Sequence, residues 1–130
     1  MVAARFPVGI IGFLAGPDTH VCDARGPTDP LASRVRLASR GPKAGHEKTL
    51  FFPWCEVRCL APAADGTLPR VEADEVRRIG AALHCGDLAT LQAAVTAPLT
   101  WSRFWRNVAL SPALTRLRFD PDAEADERCH

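Results

Sequence analysis

The chain has 130 residues, 47% hydrophobic and 24% charged, with 16 basic residues against 15 acidic ones and a formal net charge of +1. That length suits a single domain with one modest core. The near-neutral balance excludes an electrostatic nucleic-acid binder, and no block of like charge is long enough to form a solvated tail or basic arm.

The first apolar stretch, Phe6 to Ala15, reads FPVGIIGFLA. It falls well short of the roughly 20 residues a membrane-spanning helix needs. A lone Arg5 before it and Ala15-Gly16 after it have the outline of a signal peptide. Gly9 and Gly12 weaken a helix, however, and Val8, Ile10 and Ile11 are β-branched, so a buried strand is expected.

Residues 16–34 read GPDTHVCDARGPTDPLASR and concentrate polar side chains between turn-forming ones. THVC reads as a short strand. Cys22 lies between His20 and Asp23, the composition of a thiol nucleophile with a base. On a strand, though, only His20 and Cys22 share a face, and a polar strand end is the plainer reading. Asp23 and Asp29 offer a carboxylate pair for acid/base chemistry or for holding a sugar hydroxyl. Asp29 before Pro30 is better placed to cap a helix start, with Pro30 at the first helical position. Asp23 can begin an Asx turn.

Gly45-His46-Glu47-Lys48 forms a charged loop before TLFF, which reads as another strand. The loop lacks the second histidine of a helical zinc-protease pattern. Cys55 and Cys59 have three residues between them, and a zinc shell could draw on His20, Cys22, His46 or His84. That second set has no finger-like spacing, so buried apolar cysteines beside Trp54, Val57 and Leu60 are favoured. Asp65-Gly66 marks a turn in the loop over residues 61–70.

From residue 71 onward the pattern is helical. Val76, Ile79, Ala82 and Leu83 form one stripe, and Leu88, Leu91, Ala94 and Val95 another. Asp87 can cap the second helix and Thr100 a third, short one. Trp101, Phe104, Trp105 and Val108 give this last helix an aromatic face, which is expected to pack inward, although exposed indoles could stack on sugar rings. TRLRF, residues 115–119, alternates like an edge strand. The five cysteines cannot all pair internally. A Cys85–Cys129 bridge would pin the terminal segment, although sequence alone cannot fix the pairing. The expected fold class is α+β, with a small antiparallel sheet from residues 1–70 and a final strand, covered by helices of residues 71–130. It is read as a single domain over residues 1–130.

The ordered set Gly16-Pro17, His20, Asp23, Gly26, Asp29-Pro30-Leu31-Ala32, Arg34, Gly41-Pro42 and Gly45-His46-Glu47-Lys48 resembles the extracytoplasmic C-terminal part of actinobacterial membrane arabinofuranosyltransferases of the GT-C class. It is closest in pattern to the terminal β-(1→2) type. CGDL at residues 85–88, PLTWSRFWRN at 98–107 and the closing Cys129 resemble the same region more weakly. Two departures stand out: Pro27-Thr28 precedes Asp29 where the family has Leu-Ala, and CEVRC carries two cysteines. The resemblance implies a polytopic enzyme that moves arabinofuranose from a polyprenyl-phosphate donor to cell-wall arabinan, with its catalytic acid in a membrane region outside these residues. It therefore implies a domain that is non-catalytic alone, needs no cofactor, and faces ligand through His20, Asp23, Arg34, His46 and Glu47. The expected location is the extracytoplasmic membrane face, or the cytoplasm for an orphan fragment. A cysteine-based metal or regulatory module and a Cys22 thiol enzyme are the rival readings.

Overall fold

The computed structural model describes residues 2–4, 8–16, 21–26, 28–37 and 47–122. His20, His46 and Cys129 lie outside them. The chain is mostly helical with a few short strands, an α+β arrangement.

Strand β1 (Val2–Ala4) pairs with β2 (Val21–Asp23), with Val2 opposite Val21 and Ala4 opposite Asp23. The pairing is parallel, not antiparallel as expected, because helix α1 (Val8–Ala15) crosses between the strands. Two adjacent strands joined by a helix run the same way. The VGIIGFLA run is thus a helix and not the strand its β-branched residues suggest. Local propensity yields to the need for a crossover. Gly16, at φ +78°, follows its end.

After β2 the chain turns at Gly26 (φ +100°), where a Cβ would stand 3.0 Å from the Ala32 carbonyl oxygen. Only glycine fits both the positive φ and that approach. A 3-10 turn at Ala32–Arg34 follows. TLFF is not a strand: helix α2 (Phe52–Cys59) begins inside it, with Pro53 in its first turn, where a missing N–H costs nothing.

Helices α3 (Ala73–Leu83), α4 (Gly86–Thr96) and α5 (Trp101–Arg116) complete the order. Asp65 takes the Thr67 amide at 2.9 Å in the expected turn before α3, with Gly66 at φ +82°. Acidic Asp74 and Glu75 occupy the first turn of α3, the end where negative charge is favoured. Cys85 is the N-cap position of α4, and Asp87 sits one residue inside the helix instead of capping it. Thr100 does cap α5, its hydroxyl accepting from the Arg103 amide at 3.3 Å. α5 is longer than expected and absorbs the start of TRLRF. Of that segment Phe119 alone makes a strand-like pairing, an isolated parallel bridge with Val35.

One core joins both halves of the chain. Leu31, Ala32, Leu50, Trp54 and Cys55 meet Ile79, Leu83, Leu88, Leu91, Leu114 and Phe119. Trp54 packs on Phe119 with ring centroids 5.4 Å apart. The aromatic face of α5 does not pack inward: Trp101 is 80% and Trp105 63% exposed. The inward side of that helix is taken by Asn107, whose amide donates to the Ala94 carbonyl at 3.1 Å, and by buried Leu114.

Candidate functional site

The loop after β2 is built on two aspartates. Asp23 is buried, and its carboxylate accepts the amides of Arg25 and Thr28, both at 3.1 Å, and the Thr28 hydroxyl at 3.0 Å. Those bonds close an Asx-type turn, the conformation a short acceptor side chain stabilises at a strand end. Asp29 accepts the amides of Leu31 and Ala32 at 2.9 and 3.0 Å, which otherwise would lack partners at the start of the 3-10 turn.

Asp29 also meets Arg58 of α2 in a two-pronged ion pair, at 3.0 and 2.5 Å. Both side chains are almost fully buried. Burial pushes the Asp29 carboxyl up, but the Arg58 hydrogen bond and charge, with the Ala32 and Leu31 amides, outweigh it and hold the group below its ordinary value. Burial lowers Arg58, and Asp29 more than reverses that. Pairing and amide bonds are what make such a buried charge tolerable. One turn earlier on the same helix, Cys55 forms a disulfide with Cys22 of β2. α2 is therefore tied covalently to β2 and ionically to the loop that follows it.

This disulfide overturns the expectation that Cys55 is an unpaired apolar cysteine, and it bears on both rival readings. Cys22 has no thiol to ionise, which removes the thiol-enzyme reading. Cys55 is consumed as well, and among the described residues no group of three His, Cys, Asp or Glu side chains could hold a metal. Cys59 is a free, half-buried thiol. Cys85 is disulfide-bonded, and its expected partner Cys129 lies outside the described residues.

Arg34 and Lys48 are anchors. The Arg34 guanidinium donates to the Leu114 carbonyl at 2.6 Å and to the Pro30 carbonyl at 2.7 Å. It thus caps the C-terminus of α5 from a turn 80 residues upstream. Lys48 donates to the Ser33 carbonyl at 2.6 Å. Burial, then the Arg118 and Arg34 charges, depress Lys48, with Glu47 partly offsetting them. Glu47 itself is half-buried.

Beside this framework lies a groove of ≈ 400 Å³ lined by Ala24, Arg25, Thr49, Leu50, Phe51 and Phe52 with Pro53. The Leu50 amide donates to the Ala24 carbonyl at 2.8 Å, which sets the two walls side by side. Arg25 is exposed and Phe51 is 54% exposed. Of the predicted ligand residues, Asp23 is buried with its carboxylate engaged and Glu47 is half-buried, and neither is among the residues lining the groove. His20 and His46 lie outside the described residues.

Sequence reasoning passed over Arg25, Phe51 and Arg58. Only the charge alternation in CEVRC hinted at Arg58. It also passed over Glu56, which is 5% exposed with one carboxylate oxygen unpartnered.

The terminal beta-(1->2)-arabinofuranosyltransferase of Mycobacterium tuberculosis is 31% identical over 121 residues, which cover 87% of this chain and 18% of that protein. The chain thus spans less than a fifth of the curated relative it matches. No solved structure matches the chain. The family model described as the AftB family C-terminal domain matches residues 2–127, nearly the whole sequence, and the chain belongs to that family.

Proposed function

We propose that this domain supports an arabinofuranosyltransferase by binding, either to the arabinan acceptor or to the polyprenyl-phosphate arabinose donor, and is non-catalytic alone. The observation that carries the reading is the groove of Arg25, Thr49, Phe51 and Phe52, set against the two ends of the 20–48 block in a chain of this family. A furanose ring offers hydroxyls and C–H edges. Thr49 and Arg25 supply polar partners, and half-exposed Phe51 supplies an apolar surface. A donor phosphate would be met by Arg25.

In this reading Asp23 and Arg34 position the loop, and the ligand-facing role of His20, His46 and Glu47 rests on the family resemblance alone. The carboxylates of Asp23 and Asp29 are already engaged by amides and by Arg58, which supports a binding role over an acid/base one. A buried disulfide between Cys22 and Cys55 supports an extracytoplasmic location, where thiols stay oxidised. Among the described residues no helix is long and apolar enough to cross a membrane.

The test is an NMR titration of the 130-residue chain with arabinofuranose oligosaccharides and, separately, with a soluble polyprenyl-phosphate analogue. The expected result is shifted amide signals at Arg25, Thr49 and Phe51, weakened by Arg25→Gln and by Phe51→Ala. If saturating amounts of both ligands leave those signals unmoved, the reading is wrong.

A further inference from the structure

The end of α5 gathers more positive charge than a helix terminus needs. Val35 and Phe119, both buried, pair in a parallel bridge. The Arg36 amide donates to the Phe119 carbonyl at 2.7 Å and the Phe119 amide to the Arg34 carbonyl at 3.1 Å. Side chains alternate along such a pair, so Arg34 and Arg118 leave it together on the side away from the core. Arg34 then meets the Leu114 carbonyl, and the Arg118 guanidinium donates to the carbonyls of Thr115 and Leu117 at 2.9 and 2.5 Å. Lys48 joins them at Ser33. Its ammonium donates to the Ser33 carbonyl, while Arg34 donates to the Ser33 hydroxyl at 3.1 Å.

The three cations feel one another. Burial and then the Arg118 charge hold Arg34 below its ordinary value, and after burial the Arg118 and Arg34 charges act on Lys48 in the same direction. Acidic groups do not cancel them. Asp29 is committed to Arg58, Asp120 accepts the Asp122 amide at 3.1 Å, and Glu47 offsets Lys48 only in part. One cation beside the last carbonyls of a helix is ordinary, since that end carries about half a negative charge. Three cations, with Arg34 and Lys48 half-buried, leave an excess that repels itself.

The bonds already made do not exhaust their donors. Among the described residues no acceptor meets Arg34 Nη2 or Arg118 Nε and Nη2, and the Lys48 ammonium uses one of its N–H groups. These donors and this charge suit a phosphate group, whose tetrahedral oxygens take a guanidinium edge and an ammonium at once. A carboxylate, with two oxygens in one plane, meets fewer of them.

We propose that Arg34, Lys48 and Arg118 form a binding site for a phosphate group at the C-terminal end of α5, carried by free phosphate, a monoester or a phosphodiester headgroup. None of the three lines the groove at Arg25 and Phe51, so the two readings stand or fall separately.

The experiment is an NMR titration of the 130-residue chain with inorganic phosphate and, separately, with dimethyl phosphate, each compared with acetate at equal ionic strength. Phosphate is expected to give saturable shifts of the Ser33, Lys48 and Arg118 amide signals, with acetate about tenfold weaker. Arg118→Gln and Lys48→Gln are each expected to weaken phosphate binding about tenfold, with unchanged circular dichroism. Lys48 also holds the loop at Ser33, so exposed Arg118 gives the cleaner variant, and Arg118→Lys, which keeps the charge, is expected to retain most of the binding. Phosphate that moves these signals no more than acetate does overturns the proposal, as does an Arg118→Gln variant that binds like wild type. Shifts confined to Arg25 and Phe51 would place the anion in the groove and overturn it too. Dimethyl phosphate that binds as well as phosphate supports the site and assigns it to a diester such as a lipid headgroup. Binding of phosphate alone supports the site and assigns it to free phosphate or a monoester.

Discussion

Residues 21–60 and residues 71–116 are held together in different ways. The first region has little regular structure, and its one long element, α2, is fixed by a buried ion pair and a disulfide to a loop of turns. The second is three helices: the apolar stripes of α3 and α4 pack against neighbours in ordinary fashion, while α5 enters the core through Leu114 and leaves its aromatic stripe exposed. A loop-rich region cannot satisfy its backbone through ladders, so side chains such as Asp23 and Asp29 do it instead. The helical region satisfies its own backbone and is left with a spare aromatic face. The lesson is that the first region should be sensitive to single polar changes and the second tolerant of large apolar ones.

The sharpest way to break that contrast is Asp29→Ala. It leaves the Arg58 charge buried and two amides without an acceptor, and should destabilise the fold by about 3–5 kcal/mol in urea unfolding. The same pair predicts acid sensitivity. Because the folded fold-state carboxyl sits below its ordinary value of 3.8, its contribution is complete above that pH and is lost as pH falls through the lower folded value. The Tm gap between wild type and Asp29→Asn should narrow in that range, and a gap constant with pH would show that the pair carries no linkage.

Opening the Cys22–Cys55 bridge, 33 residues apart in sequence, should come next. Cys22→Ser with Cys55→Ser is expected to cost about 2–4 kcal/mol, read by the urea midpoint. In the helical region Thr100→Ala should cost only about 1 kcal/mol, the usual value of an N-cap, and a far larger loss in thermal melts would mean that α5 is held by more than its cap and its inner face. Smallest of all, Trp101→Ser should change stability by no more than about 0.5 kcal/mol despite removing an indole. A larger loss would mean that the ring is packed in solution.

Much of the second region was legible from local pattern. The stripes through Ile79 and Leu83 and through Leu88 and Leu91, and the Thr100 cap, depend on spacing within one helix. The Asp29 cap in the first region and the Asp65-Gly66 turn between the two regions were legible for the same reason. What failed was whatever depended on distant partners. The strand expected at Val8–Ala15 became a crossover helix, TLFF ran into α2, and the expected antiparallel sheet became a parallel pair. The groove was not legible, since Arg25, Phe51 and Phe52 carry no motif, and the expected Asp23 and Glu47 are not among its lining residues.

The sequence by itself determined the helices of the second half, the turn chemistry of the two aspartates and the family, because each rests on residues close together in the chain or on their order. The tertiary structure alone decided that Cys22 meets Cys55, that Arg58 neutralises Asp29, that Arg34 caps a helix ending 80 residues away, and which face of α5 stays in water. Each of those depends on which surfaces the core brings together, and nothing in local spacing encodes a partner that lies tens of residues away.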